Sequence, residues 1–193
     1  MVASNRIGVL ALQGAFAKHV EIFNSLGAPA CEVRTPAQLD AVDALVIPGG
    51  ESSTMSKLLD LQGLREPLRA RLAAGMPAFG TCAGMIMLAD QILDGRADQK
   101  SLAAIDIDVR RNGYGRQIDS FESPVDVAGM EGGPFEAVFI RAPIVERVGA
   151  GVTVLGEVDG DPVVLRQGPI FVTSFHPELT ADLRLHQAFL LHL

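Results

Sequence analysis

The first hint of chemistry in this chain is a cysteine held between small residues, Gly80-Thr81-Cys82-Ala83-Gly84. The pattern is the cysteine counterpart of the G-x-S-x-G nucleophile elbow, which stands a nucleophile on a sharp strand-to-helix turn. Its flanks agree: a short apolar strand begins at Pro77, and an apolar helical run continues to Ala89. Such a turn strains the backbone at the nucleophile, and a bulky residue at either glycine would collide with the strand or the helix. The N-terminus of the following helix favours a thiolate. Two plainer readings compete. Cysteine is often simply a small buried apolar residue. Residues 72–89 also carry no charge, a run close to the length of a membrane helix. Gly75, Pro77, Gly80 and Gly84 break that run, so a strand and a helix account for it better.

An elbow cysteine needs a base and a group to orient that base. The chain has four histidines. His19, His186 and His192 fall in predicted helices with no acidic partner in a motif, and read as surface or half-buried helix residues. His176 differs: it follows an apolar strand, and Glu178 comes two residues later with Pro177 between them. Proline biases the residue before it toward extended backbone, where positions i and i+2 project to one side. His176 and Glu178 can then both face the strand end where Cys82 lies. The carboxylate would orient the imidazole and stabilise its charged form.

Pro48-Gly49-Gly50-Glu51-Ser52 is a third piece. It can be a plain turn before a helix, with Ser52, Ser53 and Thr54 all good N-caps. It can also offer glycine N–H groups to a developing oxyanion or a polar substrate. Arginines at two strand ends, Arg110-Arg111 and Arg141, could bind a carboxylate bidentately. Side chains alternate along a strand, so only one of Arg110 and Arg111 can serve a given site.

The elements that would position these residues follow a β-loop-α alternation. Residues 7–12 and 44–47 are continuous apolar runs, as in strands buried on both faces of a parallel sheet. Residues 30–33 and 77–81 read as further strands. Residues 15–26, 55–61 and 64–74 read as helices, with a shorter one opening at Thr35-Pro36. The N-terminal half is therefore an open, mostly parallel α/β sheet flanked by helices, and its ligands belong at the carboxyl edge. Beyond Gly95, short alternating segments at 104–110, 118–127, 137–141, 152–158 and 162–166 read as antiparallel hairpins added to that sheet. The turn signals Asn112-Gly113, Gly132-Gly133-Pro134 and Asp159-Gly160-Asp161 separate them. Residues 170–175 return to the core, and 179–193 close the chain as a helix.

At 193 residues with 48% apolar content, the chain is expected to fold as a single domain, 1–193. A net charge of −7 and the lack of a Lys/Arg run argue against nucleic acid as a partner. With no Trp and one Tyr, a base-stacking platform is not expected. No membrane association, metal or cofactor is expected. The start of the chain lacks a signal-peptide pattern, and a free thiol nucleophile suits a reducing compartment, so a cytoplasmic location is expected.

Together these stretches resemble the triad glutamine amidotransferases, and more narrowly the family of glutaminase subunits of pyridoxal phosphate synthase. The elbow and His176-Pro177-Glu178 carry the broad resemblance. The narrow one rests on Val9-Leu-Ala-Leu-Gln-Gly-Ala15, Arg111-Asn-Gly-Tyr-Gly-Arg-Gln117, Asp119-Ser-Phe-Glu122, Phe139-Ile-Arg-Ala-Pro143 and Ser174-Phe-His-Pro-Glu178. The resemblance implies a flavodoxin-like, class I amidotransferase fold. It implies hydrolysis of L-glutamine to L-glutamate and ammonia through a γ-glutamyl thioester. Cys82 would be the nucleophile, His176 the base and Glu178 its orienting acid. Gly49, Gly50, Glu51, Arg111, Ile140 and Arg141 would contact glutamine, which decides the arginine question for Arg111. Backbone N–H groups of Gly49, Gly50 and Ala83 would form the oxyanion hole. The ammonia would pass to a lyase subunit that makes pyridoxal 5'-phosphate, docked in part at Gln13-Gly14, and the isolated chain would be a slow glutaminase. Tyr114 departs from the phenylalanine usual in the family. The alternatives are a glutaminase subunit of a different amidotransferase, or a non-catalytic regulatory subunit of the same fold.

Overall fold

The structure, a computed structural model, describes residues 5–111 and 120–193. The Asn112-Gly113 turn, Tyr114 and the Gly115-Arg116-Gln117 stretch lie outside the described residues. The N-terminal half runs β1 (Ile7–Leu10), α1 (Phe16–Ser25), β2 (Ala30–Val33), α2 (Pro36–Asp40), β3 (Ala44–Ile47), α3 (Ser52–Leu61), α4 (Arg65–Ala73), β4 (Ala78–Thr81) and α5 (Ala83–Leu88). There follow β5 (Ala89–Ile92), β6 (Ile105–Arg110), β7 (Ser120–Val125), β8 (Phe135–Ile140), β9 (Ile144–Val148), β10 (Thr153–Val158), β11 (Asp161–Gln167), β12 (Ile170–Thr173), a 3-10 turn (Pro177–Leu179) and α6 (Arg184–Leu190).

Seven strands form the main sheet in the order β10-β11-β12-β4-β3-β1-β2. The five from β12 to β2 are parallel, and the β10–β11 hairpin extends one edge antiparallel. Alternation along the buried strands feeds two cores. In β3, Leu45 and Ile47 join Met55, Leu59, Leu68 and Met85 from α3, α4 and α5 on one face. Ala44 and Val46 join Phe23 of α1, Phe139 of β8 and Phe189 of α6 on the other. Strands buried on both sides are apolar almost throughout, which is why β1, β3, β4 and β12 lack the polar–apolar alternation of a half-exposed strand, with Thr81 and Thr173 only at the ends of β4 and β12.

Local signals fix several element ends. Thr35 and Gln38 cap α2 reciprocally, with Pro36 at its first turn. Gly27, at φ +78°, ends α1 in the left-handed conformation that a side chain would oppose. The Asp159-Gly160 turn between β10 and β11 has positive φ at both residues, as a two-residue hairpin of this kind requires.

Three sequence expectations need correction. First, only β10–β11 joins the main sheet among the added strands; β7–β8 pair alone, and β5, β6 and β9 form a third sheet in which β5 and β6 run parallel. The apolar side of β6 (Ile105, Ile107, Val109) covers the helical layer and so buries itself without main-sheet pairing. Second, α5 has only six residues before the chain straightens into β5, and neither β5 nor β9 was read from the sequence. Third, the final helix starts at Arg184 rather than at 179. The Thr180 hydroxyl accepts from Asp182 N at 3.2 Å and the Asp182 carboxylate accepts from Arg184 N at 3.0 Å, turn bonds that compete with helix. Among the described residues, no helix is long and apolar enough to cross a membrane.

Candidate active site

Three of the parallel strands deliver their C-terminal ends to one place. β4 lies between β3 and β12, so the loop after β3, the turn after β4 and the segment after β12 sit side by side. Their first residues are Pro48-Gly49-Gly50, Cys82 and Ser174-Phe175-His176.

Cys82 has φ 49° and ψ −104°, a conformation that L-residues rarely adopt. The neighbouring main chain holds it there. Cys82 N–H donates to Thr173 O of β12 at 2.8 Å, tying the elbow to the sheet. Space forces glycine on both sides: a Cβ at Gly80 would sit 2.7 Å from Gly84 C, and one at Gly84 would sit 1.9 Å from the Ile47 carbonyl oxygen. Cys82 is 5% exposed, and its Sγ lies 3.9 Å from the Ile140 carbonyl oxygen.

His176 reaches the cysteine from β12. Its backbone N–H donates to Val138 O at 2.9 Å, and its Nδ1 lies 2.8 Å from Glu178 Oε1. Glu178 is not on extended backbone as the spacing suggested. Pro177 opens a 3-10 turn, with Leu179 N bonded to His176 O at 3.2 Å, and this turn swings the carboxylate back under the imidazole. Burial alone would lower the His176 pKa. Hydrogen bonds to the Cys82 sulfur and to Glu178, with the negative charge of both, outweigh it and raise the pKa to about 10. Glu178, 2% exposed, is opposed by burial but held below the usual carboxylate range by His176 and His19.

A cavity of about 180 Å³ opens over this row, lined by Gly50, Glu51, Ser52, Cys82, Ile86, Arg111, Ile140, Arg141 and His176. Its size suits one amino acid rather than a drug-sized ligand, whose pockets run to about 300–1,000 Å³. Gly49 is buried and does not line the cavity; it lies against His176, so close that a Cβ there would meet Cε1 at 2.3 Å. Ala83, buried, is the first residue of α5. Arg111 donates to Glu51 Oε1 at 2.8 Å and to Gln99 Oε1 at 3.2 Å, and its buried Nε has no partner among the described residues. Arg110 points elsewhere, to Glu146 at 2.8 Å. Arg141 follows β8 with φ 45° and stands at the exposed rim.

Glu51, rather than any of the three hydroxyl residues after it, caps α3. Its carboxylate accepts from Ser53 N, Thr54 N and Ser53 Oγ at 3.2, 2.7 and 2.6 Å. Burial opposes ionisation, but these bonds prevail and bring its pKa down to about 2. Gln13 Nε2 donates to the Glu51 carbonyl oxygen at 3.2 Å, which links the end of β1 to the glycine loop.

The sequence reading missed several participants. Gln99 bridges Arg111 and Ser52, donating to Ser52 Oγ at 3.0 Å, and no local motif marks it. His19 and His186 are not surface residues: both are fully buried, and His19 Nε2 lies 3.5 Å from Glu178 Oε2. Their spacing held the clue. His19 stands four before Phe23, and His186 follows Leu185 and precedes Phe189 by three, which places both on the apolar helix faces. A larger groove, of about 510 Å³, runs along α6 and the β10–β11 edge, away from Cys82.

Among solved structures, this architecture is that of the glutamine amidotransferases. The chain superposes with a TM-score of 0.89 on a crystal structure described as a glutamine amidotransferase, at 47% identity, covering 95% of this chain and 96% of that one. The model of the SNO glutamine amidotransferase family matches residues 9–193, and the chain belongs to that family. It is 58% identical over 188 residues to the pyridoxal 5'-phosphate synthase subunit PdxT of Salinispora arenicola, covering 95% of this chain and 94% of the relative. It is also 58% identical over 183 residues to the subunit of the same name from Streptomyces avermitilis, covering 95% and 91%.

Proposed function

We propose that this chain is the glutaminase subunit of a pyridoxal 5'-phosphate synthase, acting as one domain over residues 1–193. It hydrolyses L-glutamine to L-glutamate and ammonia and supplies the ammonia to a synthase subunit. The observation that carries the chemistry is the Cys82–His176–Glu178 row beneath a cavity sized for one amino acid.

The Cys82 thiolate attacks the side-chain amide carbon of glutamine, and the carbonyl oxygen takes the negative charge. Backbone N–H groups of Gly49, Gly50 and Ala83 receive that oxyanion; one such donor is worth about 2.7–4 kcal/mol of barrier. The His176 imidazolium protonates the departing nitrogen, so ammonia leaves and a γ-glutamyl thioester remains. Neutral His176 then takes a proton from water, the hydroxide adds to the thioester, and glutamate departs as the thiolate and imidazolium reform. Glu178 keeps Nδ1 of His176 protonated throughout, which leaves Nε2 to do the transfers. Arg111, Glu51, Ile140 and Arg141 bind the amino-acid end of glutamine at the cavity wall.

Identity to the two PdxT subunits supports a synthase partner. The Gln13 bond to Glu51 O gives a partner docked at Gln13-Gly14 a direct route to the glycine loop. Cys31 and Cys82 are both free thiols, which fits a reducing, cytoplasmic setting.

Ammonia release from glutamine, measured with and without the synthase subunit, tests the reading. The chain is expected to be slow alone and faster in the complex, and Cys82→Ala to release none above background. Release by Cys82→Ala at the parent rate would sink the mechanism.

A further inference from the structure

The row that begins at Cys82 continues past Glu178. His176 takes one carboxylate oxygen, Oε1, at 2.8 Å. The other, Oε2, is buried without a hydrogen-bond partner among the described residues, and so is His19 Nε2, which faces it at 3.5 Å. Buried polar atoms in folded proteins nearly always find a partner. Among the described residues these two atoms face each other, at a separation that a small relaxation closes. His19 Nδ1 in turn lies 3.0 Å from His186 Nε2. The two imidazoles sit among rings: Phe79 meets His186 edge-on at 5.7 Å between centroids, and Phe23 meets it at 5.3 Å.

With neutral rings, one arrangement of protons leaves the least unsatisfied. If His19 carried its proton on Nδ1, its Nε2 lone pair would face the lone pairs of Glu178. His186 would then be left with a buried, unpartnered Nδ1–H. With the proton on Nε2, His19 donates to Glu178, His186 donates to His19 Nδ1, and what remains is a bare lone pair at His186 Nδ1. An unfilled acceptor is tolerated in a core more often than an orphaned N–H.

We propose that His19 is a positioning residue for the reaction: as a neutral, Nε2-protonated ring, it donates to the second oxygen of Glu178 and holds that carboxylate turned toward His176, while His186 fixes its tautomer. The proposal rests on reading Cys82, His176 and Glu178 as the reacting row. Burial supports the neutral state, pushing His19 down to about 4 despite the opposing pull of Glu178, and His186 down to about 3. Among the described residues, the titratable groups gathered around Glu178 are His176 on its own segment, His19 from α1, His186 from α6 behind it, and Cys82 at the elbow. His19 thus adds a donor from α1, an element that carries none of the reacting groups.

The test compares His19→Gln, which keeps an N–H near the Nε2 position, with His19→Met, which keeps volume but no donor. Alkylation of Cys82 by iodoacetamide is followed against pH, with mass spectrometry separating Cys82 from Cys31. A carboxylate that loses a donor ionises less readily, so the acid limb should rise by about one pH unit in His19→Met and stay in place in His19→Gln. This readout needs neither glutamine nor partner. Glutamine turnover in the complex should show kcat lowered about 10- to 100-fold in His19→Met, with KM unchanged and rescue in His19→Gln. An acid limb that does not move in His19→Met, or moves equally in both variants, overturns the proposal. If His19→Met does not fold, nitrogen NMR of the imidazoles in the unaltered chain decides. An Nε2–H tautomer at His19 supports the proposal; an Nδ1–H tautomer or an imidazolium overturns it. An unaltered chain that releases no ammonia with its partner counts against the glutaminase reading alone, and the alkylation shift would still support His19 as the positioning residue.

Discussion

Arg111 Nη2 lies 2.8 Å from Glu51 Oε1, a contact between residues 60 apart in sequence. It joins the end of β6 to the cap of α3 and so builds one wall of the cavity from two sheets. Glu51 already accepts three bonds from its own helix start, so it holds the guanidinium without needing to move. A substrate carboxylate entering the cavity would find an arginine fixed in place.

Arg111→Met is therefore expected to raise KM for glutamine by about 10- to 100-fold, the worth of a hydrogen bond to a charged group. The effect on kcat should be much smaller, because the interaction is the same in the ground and transition states. Steady-state ammonia release with the synthase subunit present measures both.

The legible parts of this chain were those with local causes. The elbow at Cys82 needs small residues on each side within a few positions, and that requirement is written into the sequence. His176 and Glu178 are two residues apart, so their pairing was readable even though the 3-10 turn that achieves it was not. The apolar runs at β1 and β3 announced a parallel sheet, and its carboxyl edge is where the glycine loop, Cys82 and His176 lie together. What was hidden depends on contacts distant in sequence. β5 and β9 are half-exposed strands whose pairing with β6 comes from tertiary packing. Glu51 takes the cap from the three hydroxyl residues because α3 begins at Ser52, which puts all three hydroxyls inside the first turn. His19 met Glu178 only once α1 had been laid against the 3-10 turn.

The steric demand at the elbow is testable as stability. Gly84→Ala would drive a Cβ into the Ile47 carbonyl oxygen, at 1.9 Å, and that oxygen belongs to a central strand that cannot retreat. A loss of about 1–3 kcal/mol is expected, the usual cost of overpacking a core. Urea denaturation monitored by circular dichroism gives the value, and a midpoint unchanged from the parent would remove the steric argument.

His176 makes stability fall at alkaline pH. Its folded pKa, about 10, lies above the ordinary histidine value of 6.5. Its interactions with Cys82 and Glu178 thus stabilise the fold fully below that ordinary value and are lost as pH climbs through the folded one. The greatest slope is about 1.4 kcal/mol per pH unit. Glu178→Gln removes one of the two groups that raise this pKa, so thermal melts between pH 7 and 10 should decline less steeply in the variant than in the parent.

The acid side belongs to His19 and His186. Their folded pKa values, about 4 and about 3, lie below the ordinary 6.5. As pH falls below 6.5, the unfolded chain binds protons that the folded chain refuses, so stability present at neutral pH drains away. Each histidine contributes up to about 1.4 kcal/mol per pH unit. Urea unfolding at pH 6.5, 6 and 5 should show that slope, and His186→Leu should remove close to half of the part due to these two rings.

Gly49 fixes the position of the His176 ring. Its Cα faces the His176 ring, and a Cβ would stand 2.3 Å from Cε1 and 2.8 Å from Nδ1. The atoms it would strike belong to the end of a side chain rather than to backbone, so the fold can absorb Gly49→Ala by turning the imidazole. That turn has a cost in geometry: Nδ1 leaves Glu178 Oε1, and the opposite nitrogen swings away from the Cys82 sulfur. A displacement of about 1 Å at a reacting group can lower a rate about 100-fold. Gly49→Ala is expected to lower kcat by about that factor and to slow Cys82 alkylation at neutral pH, with a lower melting temperature as well, because the His176–Glu178 pairing also stabilises the fold. Full activity in Gly49→Ala would mean that the ring is free to move while the chemistry proceeds, and that the close contact between Gly49 and His176 is incidental to the reaction.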